Sequence, residues 1–433
     1  MVKMGFLSPV THPIAEAWHP KAPQRSKEFA VARADRIYWD PFDRDIARDP
    51  YPIYRRLRDE APLYYNDEHD FYVLSRYDDV DRALLDWQTF SSSRGPILEI
   101  IKAGVEIPPG TLLMEDPPAH DIHRALLARV FTPRRVLSLE PQIRDMCTRS
   151  LDRLAGTGRF DLMTSFANEV PMRVIGMLLG IPESDQQGVR DRADANLRTE
   201  PGQQMQVSDQ AIPHTDTFAE YIDWRAEHPS DDLMTELLNA QFEDTEGVTR
   251  TLTRQEILTY ITVVAGAGNE TTARLLGWLG TLLARHPEQR AELVEDPRLI
   301  PKAIEETLRF EPTGHAIARY VTTDVELHGT TVPAGSAMML LVASANRDPG
   351  RWDDPDTFDI HRRISNLRTF GFGTHYCLGA SLARLEARVA LEEFLKRFPA
   401  WEVDWDAVEL SSTSTMRGWE TVPITVDLPA VHA

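Results

Sequence analysis

The chain has 433 residues, enough to bury a large core, and no run of about 18 apolar residues that would make a transmembrane helix. Its net charge is −20, with 47 Lys and Arg against 67 Asp and Glu, so nucleic acid and anionic membranes are not expected partners. Two cysteines, Cys147 and Cys377, rule out a disulfide framework and point to a reduced, cytoplasmic compartment. Residues 1–35 carry Pro9, Pro13, Pro20 and Pro23 among polar and charged residues and lack the apolar stretch of a signal peptide, so they read as an extended, flexible arm. With no internal repeat or low-complexity linker, residues 36–433 read as a single domain. In chain order, residues 50–61 are predicted helical, and Leu63–Tyr65 with Phe71–Leu74 flank a polar turn as a hairpin. Helical periodicity is clearest over Leu139–Leu154, Asn168–Gly180, Phe218–Glu227 and Ile257–Arg285, with Pro182, Pro201, Pro213 and Pro229 marking helix boundaries. Residues 199–213 are polar and without period, which suits a mobile lid. Strands are expected at Tyr320–Leu327, Ala337–Val342 and Val422–Val426, giving a mainly helical chain with small sheets (α+β).

Three stretches carry more than packing. Phe370-Gly-Phe-Gly-Thr-His-Tyr-Cys377-Leu-Gly379 places a cysteine after a glycine-rich turn, at the entrance of an amphipathic helical pattern running through about Phe398. Backbone N–H groups at a helix start stabilise negative charge, so the thiol pKa is expected to fall. Ala265-Gly-Ala-Gly-Asn-Glu-Thr-Thr272 puts two glycines inside a good helical pattern. Each costs about 1 kcal/mol relative to alanine, which calls for a packing or functional reason. His120 and Arg124, four apart, lie on one face of a helix.

The spacing Phe-x-x-Gly-x-x-x-Cys-x-Gly resembles the haem-binding loop of the cytochrome P-450 family. Five motifs follow the family's order: Asp116–Arg124, Ala267–Thr272, Glu306–Arg309, Arg319 and Phe370–Gly379, within a resemblance spanning about Asp49 to Ile424. The chain thus looks like a soluble bacterial member. The resemblance implies haem b (iron protoporphyrin IX) lying between a long oxygen-groove helix and the cysteine-loop helix, with Cys377 as iron ligand. Phe370 and Gly379 would shape the loop, and His120, Arg124, Arg319 and His375 would meet the two propionates, since buried carboxylates need cations or donors. Gly268 would let the cofactor lie against the helix, with a local widening leaving room for dioxygen. Thr271 and Glu270 would deliver protons in a site kept from bulk water. Glu306 and Arg309 would form a buried ion network with an arginine upstream of the loop, for which Arg362, Arg363 and Arg368 are candidates.

The implied activity is monooxygenation, the hydroxylation or epoxidation of a hydrophobic small molecule such as a lipid, terpenoid, steroid or aromatic compound. With no flavin or ferredoxin domain in the sequence, electrons are expected from a separate ferredoxin-type donor and its reductase. Arg124, Arg129, Arg134 and Arg135 form a candidate docking patch, or else a solvated helix face. A monomer without a membrane anchor is expected. Substrate choice is assigned to Ser91–Leu113, Asn196–Pro213, Thr313–Ile317 and Ser412–Met416, with His315 a candidate partner for a substrate oxygen. The alternatives are peroxide-driven or non-oxygenating chemistry on the same fold, and a non-catalytic haem sensor or carrier.

Overall fold

A computed structural model describes residues 36–186, 188, 204 and 218–427. The arm at 1–35, the lid at 199–213 apart from Gln204, and the boundary prolines Pro201 and Pro213 lie outside the described residues.

The helix Arg254–Arg285 runs through the middle of the fold. Its start is a reciprocal cap: Thr253 Oγ1 accepts the Glu256 N–H at 3.2 Å while the Glu256 carboxylate accepts the Thr253 N–H at 2.7 Å. It ends at His286, where Pro287 opens the next helix. Its second half is buried nearly all round, through Leu275, Trp278, Leu279 and Leu282, because helices pack on several sides. These include Glu169–Leu178, Ile300–Phe310 and Ala380–Arg397, the last following the cysteine loop. Leu382, Leu385, Leu391 and Phe394 of that last helix join the same core as Ile143, Cys147 and Leu151 of the helix Glu140–Asp152. At roughly 1.5–3 kcal/mol for each large apolar side chain, this shared core anchors the cysteine loop from behind.

The main sheet has five strands in the order Leu63–Asn66, Phe71–Leu74, Ala337–Leu340, Ile317–Val321 and Phe90–Ser91. All neighbours are antiparallel except Phe71–Leu74 with Ala337–Leu340. Arg319 opposes Met338 in this sheet, which carries its side chain into the interior. Two strands differ from expectation: Ala337–Val342 stops at Leu340 because Val342 opens the short helix Val342–Ala345. Tyr320–Leu327 is two strands, because the Thr322 N–H and hydroxyl turn to the carbonyls of Thr89 and Gln88 and take the chain off the sheet. Val325–Leu327 then pairs with Thr330–Val332 across His328 and Gly329, whose φ values of 48° and 75° make a tight hairpin. Near the C-terminus, Glu409–Ser412 pairs with Arg417–Thr421, and Trp401–Val403 with Pro423–Val426 and Arg159–Asp161. No helix among the described residues is long and apolar enough to cross a membrane.

Candidate active site

The cysteine loop is closed by its own backbone. The Gly371 N–H donates to Arg368 O at 2.8 Å, and the Cys377 N–H donates to Phe370 O at 2.8 Å. Gly373 has a φ of +69°, and a Cβ there would stand 3.1 Å from Leu84 O, so both conformation and space require glycine. A Cβ on Gly379, by contrast, would meet nothing within 4 Å, which leaves an open face beside the loop. Cys377 is exposed at that face. Its thiol is nevertheless pushed above its ordinary value, because the protein packed around the remaining sides desolvates it. The N–H groups of Gly379 and Ala380 and the guanidinium groups of Arg124 and Arg384 act in the opposite direction. The donors expected at the helix start are therefore present, but desolvation outweighs them and the expected fall in pKa is not found. A bound metal cation reverses that balance, since a coordinating thiol is deprotonated outright.

Beside the loop, donors gather without acceptors. His120, on the helix Ala119–Ala128, is fully buried; its Nδ1 meets Asp121 at 3.0 Å and its Nε2 has no partner. The ring of His375 lies 4.3 Å from it, also with an unpartnered Nε2. Burial, with the neighbouring Arg319 and Arg124 guanidinium groups, pushes His375 down to about 3, so it is a neutral donor or acceptor at ordinary pH. Arg319 is 3% exposed and forms no ion pair among the described residues; its Nη1 donates to Ala318 O at 2.9 Å. Burial lowers it to about 10, with Asp116 opposing. Orphaned imidazole nitrogens and an unpaired buried guanidinium are costly unless an anion completes them. The propionates of a haem do so, and an accessible thiol beside them suits its iron. These residues fit the cofactor. Arg124 is turned differently from the other three: its Nη2 donates to Tyr376 O at 2.6 Å, holding the loop itself.

On the long helix the arrangement is more ordinary than its sequence suggests. The helix is α-helical without interruption, so the expected widening is absent. A Cβ on Gly268 would stand 2.5 Å from Ile175 Cδ1, so the close approach of the neighbouring helix Glu169–Leu178 already requires glycine here. Thr271 Oγ1 donates to Ala267 O at 2.9 Å. The carboxylate of Glu270 is held by Arg274, whose Nε donates to Oε1 at 2.9 Å. Arg274 is buried and also reaches Ser411 O at 3.4 Å and Ser411 Oγ at 3.2 Å. Val263, Ala267 and Thr271, spaced by four, all retain accessible surface and so share one open stripe along the helix. Leu378, next to the cysteine, packs on the cluster containing Val264 and Ala265.

Glu306 and Arg309 have no exposed surface and pair through two 2.7 Å bonds. Arg362 is the third member, with Nε 3.3 Å from Glu306 Oε1. Arg368 instead pairs with Asp81 and covers the Phe372 ring at 3.9 Å, and Arg363 is exposed. His315 does not present a free nitrogen. Its Nδ1 meets Tyr54 Oη at 3.2 Å and its Nε2 meets Thr413 O at 3.3 Å, so it fastens two expected substrate segments to one another. Within the expected substrate segment Ser91–Leu113, Leu98, Ile100, Ile101 and Leu112 are buried, while Leu113 is exposed. In the candidate docking patch Arg135 pairs with Glu236 and Asp231, while Arg129 and Arg134 are exposed without ion pairs among the described residues. Sequence reasoning passed over Arg274 and Arg384, although the four-residue spacing of Glu270 and Arg274 was a visible signal.

Comparison with known proteins agrees with this geometry. The family model for cytochrome P-450 matches residues 203–424. A putative cytochrome P-450 123 of Mycobacterium tuberculosis is 41% identical over 396 residues, covering 89% of this chain and 96% of that protein. A vitamin D(3) 25-hydroxylase of Pseudonocardia autotrophica is 34% identical, with 89% and 96% covered. The structure of cytochrome P-450 CYP109Q5 from Chondromyces apiculatus superimposes with a TM-score of 0.79 at 33% identity, covering 91% of this chain and 99% of that one. A thiol open at the end of a backbone-closed loop, a set of unanswered propionate donors and relatives matched along nearly their whole length lead to one conclusion: the chain belongs to the cytochrome P-450 family.

Proposed function

We propose that this protein is a haem-thiolate monooxygenase that inserts one oxygen atom of dioxygen into a hydrophobic organic molecule, using two electrons from a separate ferredoxin-type protein and its reductase. The observation that carries this reading is the convergence of unpartnered His120 and His375 nitrogens and the unpaired Arg319 beside an accessible Cys377. When bound, haem b supplies the redox chemistry that activates oxygen. Cys377 would be its iron ligand, with Arg319, His120 and His375 meeting the propionates and Arg124 fixing the loop through Tyr376 O.

The protein's own task is then to move protons. Water exclusion would come from cofactor and substrate filling the open stripe that bears Ala267 and Thr271. For transfer, the Thr271 hydroxyl turns from Ala267 O toward the open face and passes on its proton. Glu270 replaces that proton from solvent after its carboxylate loosens from Arg274. An apolar substrate is supported by Leu113 and Val263 at accessible positions, and by the vitamin D(3) that one relative is named for hydroxylating. Arg129 and Arg134 are the groups free to meet an acidic electron donor.

Turnover with isotope-labelled dioxygen and a ferredoxin pair tests the reaction class, on compounds first selected by their shift of the haem spin state. Label from dioxygen in the product is the expected result; label only from water, or product formed equally well from peroxide without electrons, would overturn it. The bonds holding Thr271 and Glu270 are what a peroxide-driven enzyme would also show, so the peroxide arm decides between the two.

A further inference from the structure

Arg384 lies on the second turn of the helix that follows the cysteine loop, and its side chain runs back toward that loop. Four contacts fix its guanidinium. It lies over the Phe370 ring, 4.4 Å from the centroid. Its Nη1 points to Tyr376 Oη at 3.5 Å and to Ala380 O at 3.4 Å. Its other edge forms a two-bond pair with Glu305, Nε to Oε1 at 2.5 Å and Nη2 to Oε2 at 3.0 Å. Phe370 and Tyr376 are loop residues: the first accepts the Cys377 N–H on its carbonyl, and the second precedes Cys377 in the chain. The guanidinium thus packs on two residues of the cysteine loop, Phe370 and Tyr376, while the carboxylate of Glu305 holds its Nε–Nη2 edge.

Arg124 is another cation at the loop, at the carbonyl of Tyr376 rather than its hydroxyl, and no carboxylate oxygen lies within 4.0 Å of it among the described residues. Two cations at one thiolate, only one of them closely paired, make Arg384 adjustable through its partner.

We infer that the Glu305–Arg384 pair, oriented over Phe370, sets how readily the iron centre at Cys377 accepts an electron, with Arg384 as a positioning residue and Glu305 as its counterweight. Reduction adds one negative charge to the thiolate-bearing centre. A nearby cation stabilises the reduced form and a nearby anion opposes it, and both act from side chains that are only about a third exposed. Glu305 stands next to Glu306, whose buried pair with Arg309 holds that stretch of helix rigidly, so the pair has a fixed base.

The inference rests on Cys377 being the iron ligand. The test is a spectroelectrochemical titration of haem-loaded, substrate-free protein carrying Arg384→Gln, Arg384→Lys, Glu305→Gln or both neutral changes, each checked by the spectrum of its reduced carbon monoxide complex. Arg384→Gln should make reduction about tenfold less favourable, a fall of 59 mV for one electron. Glu305→Gln should move the potential the opposite way, Arg384→Lys should lie near the parent, and the double variant should fall between the singles. Single-variant shifts of the same sign, or shifts of less than twofold in both, would overturn the inference. If Arg384→Gln does not hold haem, Glu305→Gln decides alone: an unchanged or lowered potential refutes it. Loss of the thiolate spectrum in the parent would instead refute the ligand assignment beneath it.

Discussion

On the cysteine side of the site, ionisable residues are locked. Glu306 and Arg309 are wholly buried, joined by two bonds, and completed by Arg362 and by the carbonyls of Asn346, Pro355 and Thr357. On the long-helix side they are only tethered. Thr271 makes one bond to Ala267 O, and Glu270 is partly accessible and leans on Arg274. Magnitudes separate the two. Breaking one partner out of a buried ion pair costs about 3–5 kcal/mol, whereas one hydroxyl-to-carbonyl bond is worth about 1 kcal/mol net. Thermal motion therefore opens the second many times faster than the first. The side that holds the iron ligand is built to stay still, and the side assigned to proton movement is built to rearrange.

Four substitutions test that contrast. The largest effect is expected from Arg309→Met, which leaves Glu306 buried and unpaired; denaturant titration should show a loss of about 3–5 kcal/mol or no folded protein. A stability change below about 1 kcal/mol would remove the distinction between the sides. Gly268→Ala should destabilise by about 1–3 kcal/mol through its clash with Ile175, and the unfolding midpoint reports it. If stability holds while haem affinity falls, Gly268 faces the cofactor after all. His315, pushed down to about 4 by burial and by Arg417, gives a pH signature. The unfolded chain takes up this proton near pH 6.5 and the folded one only near pH 4, so stability is full above 6.5 and declines as pH falls between those values. The slope reaches about 1.36 kcal/mol per pH unit, and His315→Asn should remove that part of it from the pH series. The smallest effect on stability belongs to Thr271→Ala, within about 1 kcal/mol, yet electrons should be diverted from product to peroxide. Product formed per electron, measured with a ferredoxin pair, would remain at the parent level if Thr271 had no part in proton transfer.

Much of this was legible because it is local. The cysteine loop, the Glu-x-x-Arg pair and the one-faced placement of His120 and Arg124 depend on spacing along the chain, and the hairpin Leu63–Asn66 with Phe71–Leu74 on its turn. What failed to show was tertiary. Arg362 could not be told from Arg363 and Arg368 because the choice depends on which of them the chain folds back over Glu306. The glycine at 268 signals a close neighbour but cannot say whether that neighbour is a cofactor or Ile175. His315 resembled a pocket residue, since nothing local reveals Tyr54 or the carbonyl of Thr413, about a hundred residues or more distant in sequence. Desolvation at Cys377 is likewise a sum over the whole surroundings, which a helix-start argument leaves out.

The central claim is that Cys377 ligates the haem iron in a cradle already formed by the chain. The absorption spectrum of the reduced carbon monoxide complex, recorded for the protein and for Cys377→Ser with haem content measured in each, tests it most directly. The thiolate band should be present in the parent and lost in the variant while His120, His375 and Arg319 still retain haem. A thiolate band that survives in Cys377→Ser, or one absent from the haem-loaded parent, would contradict it.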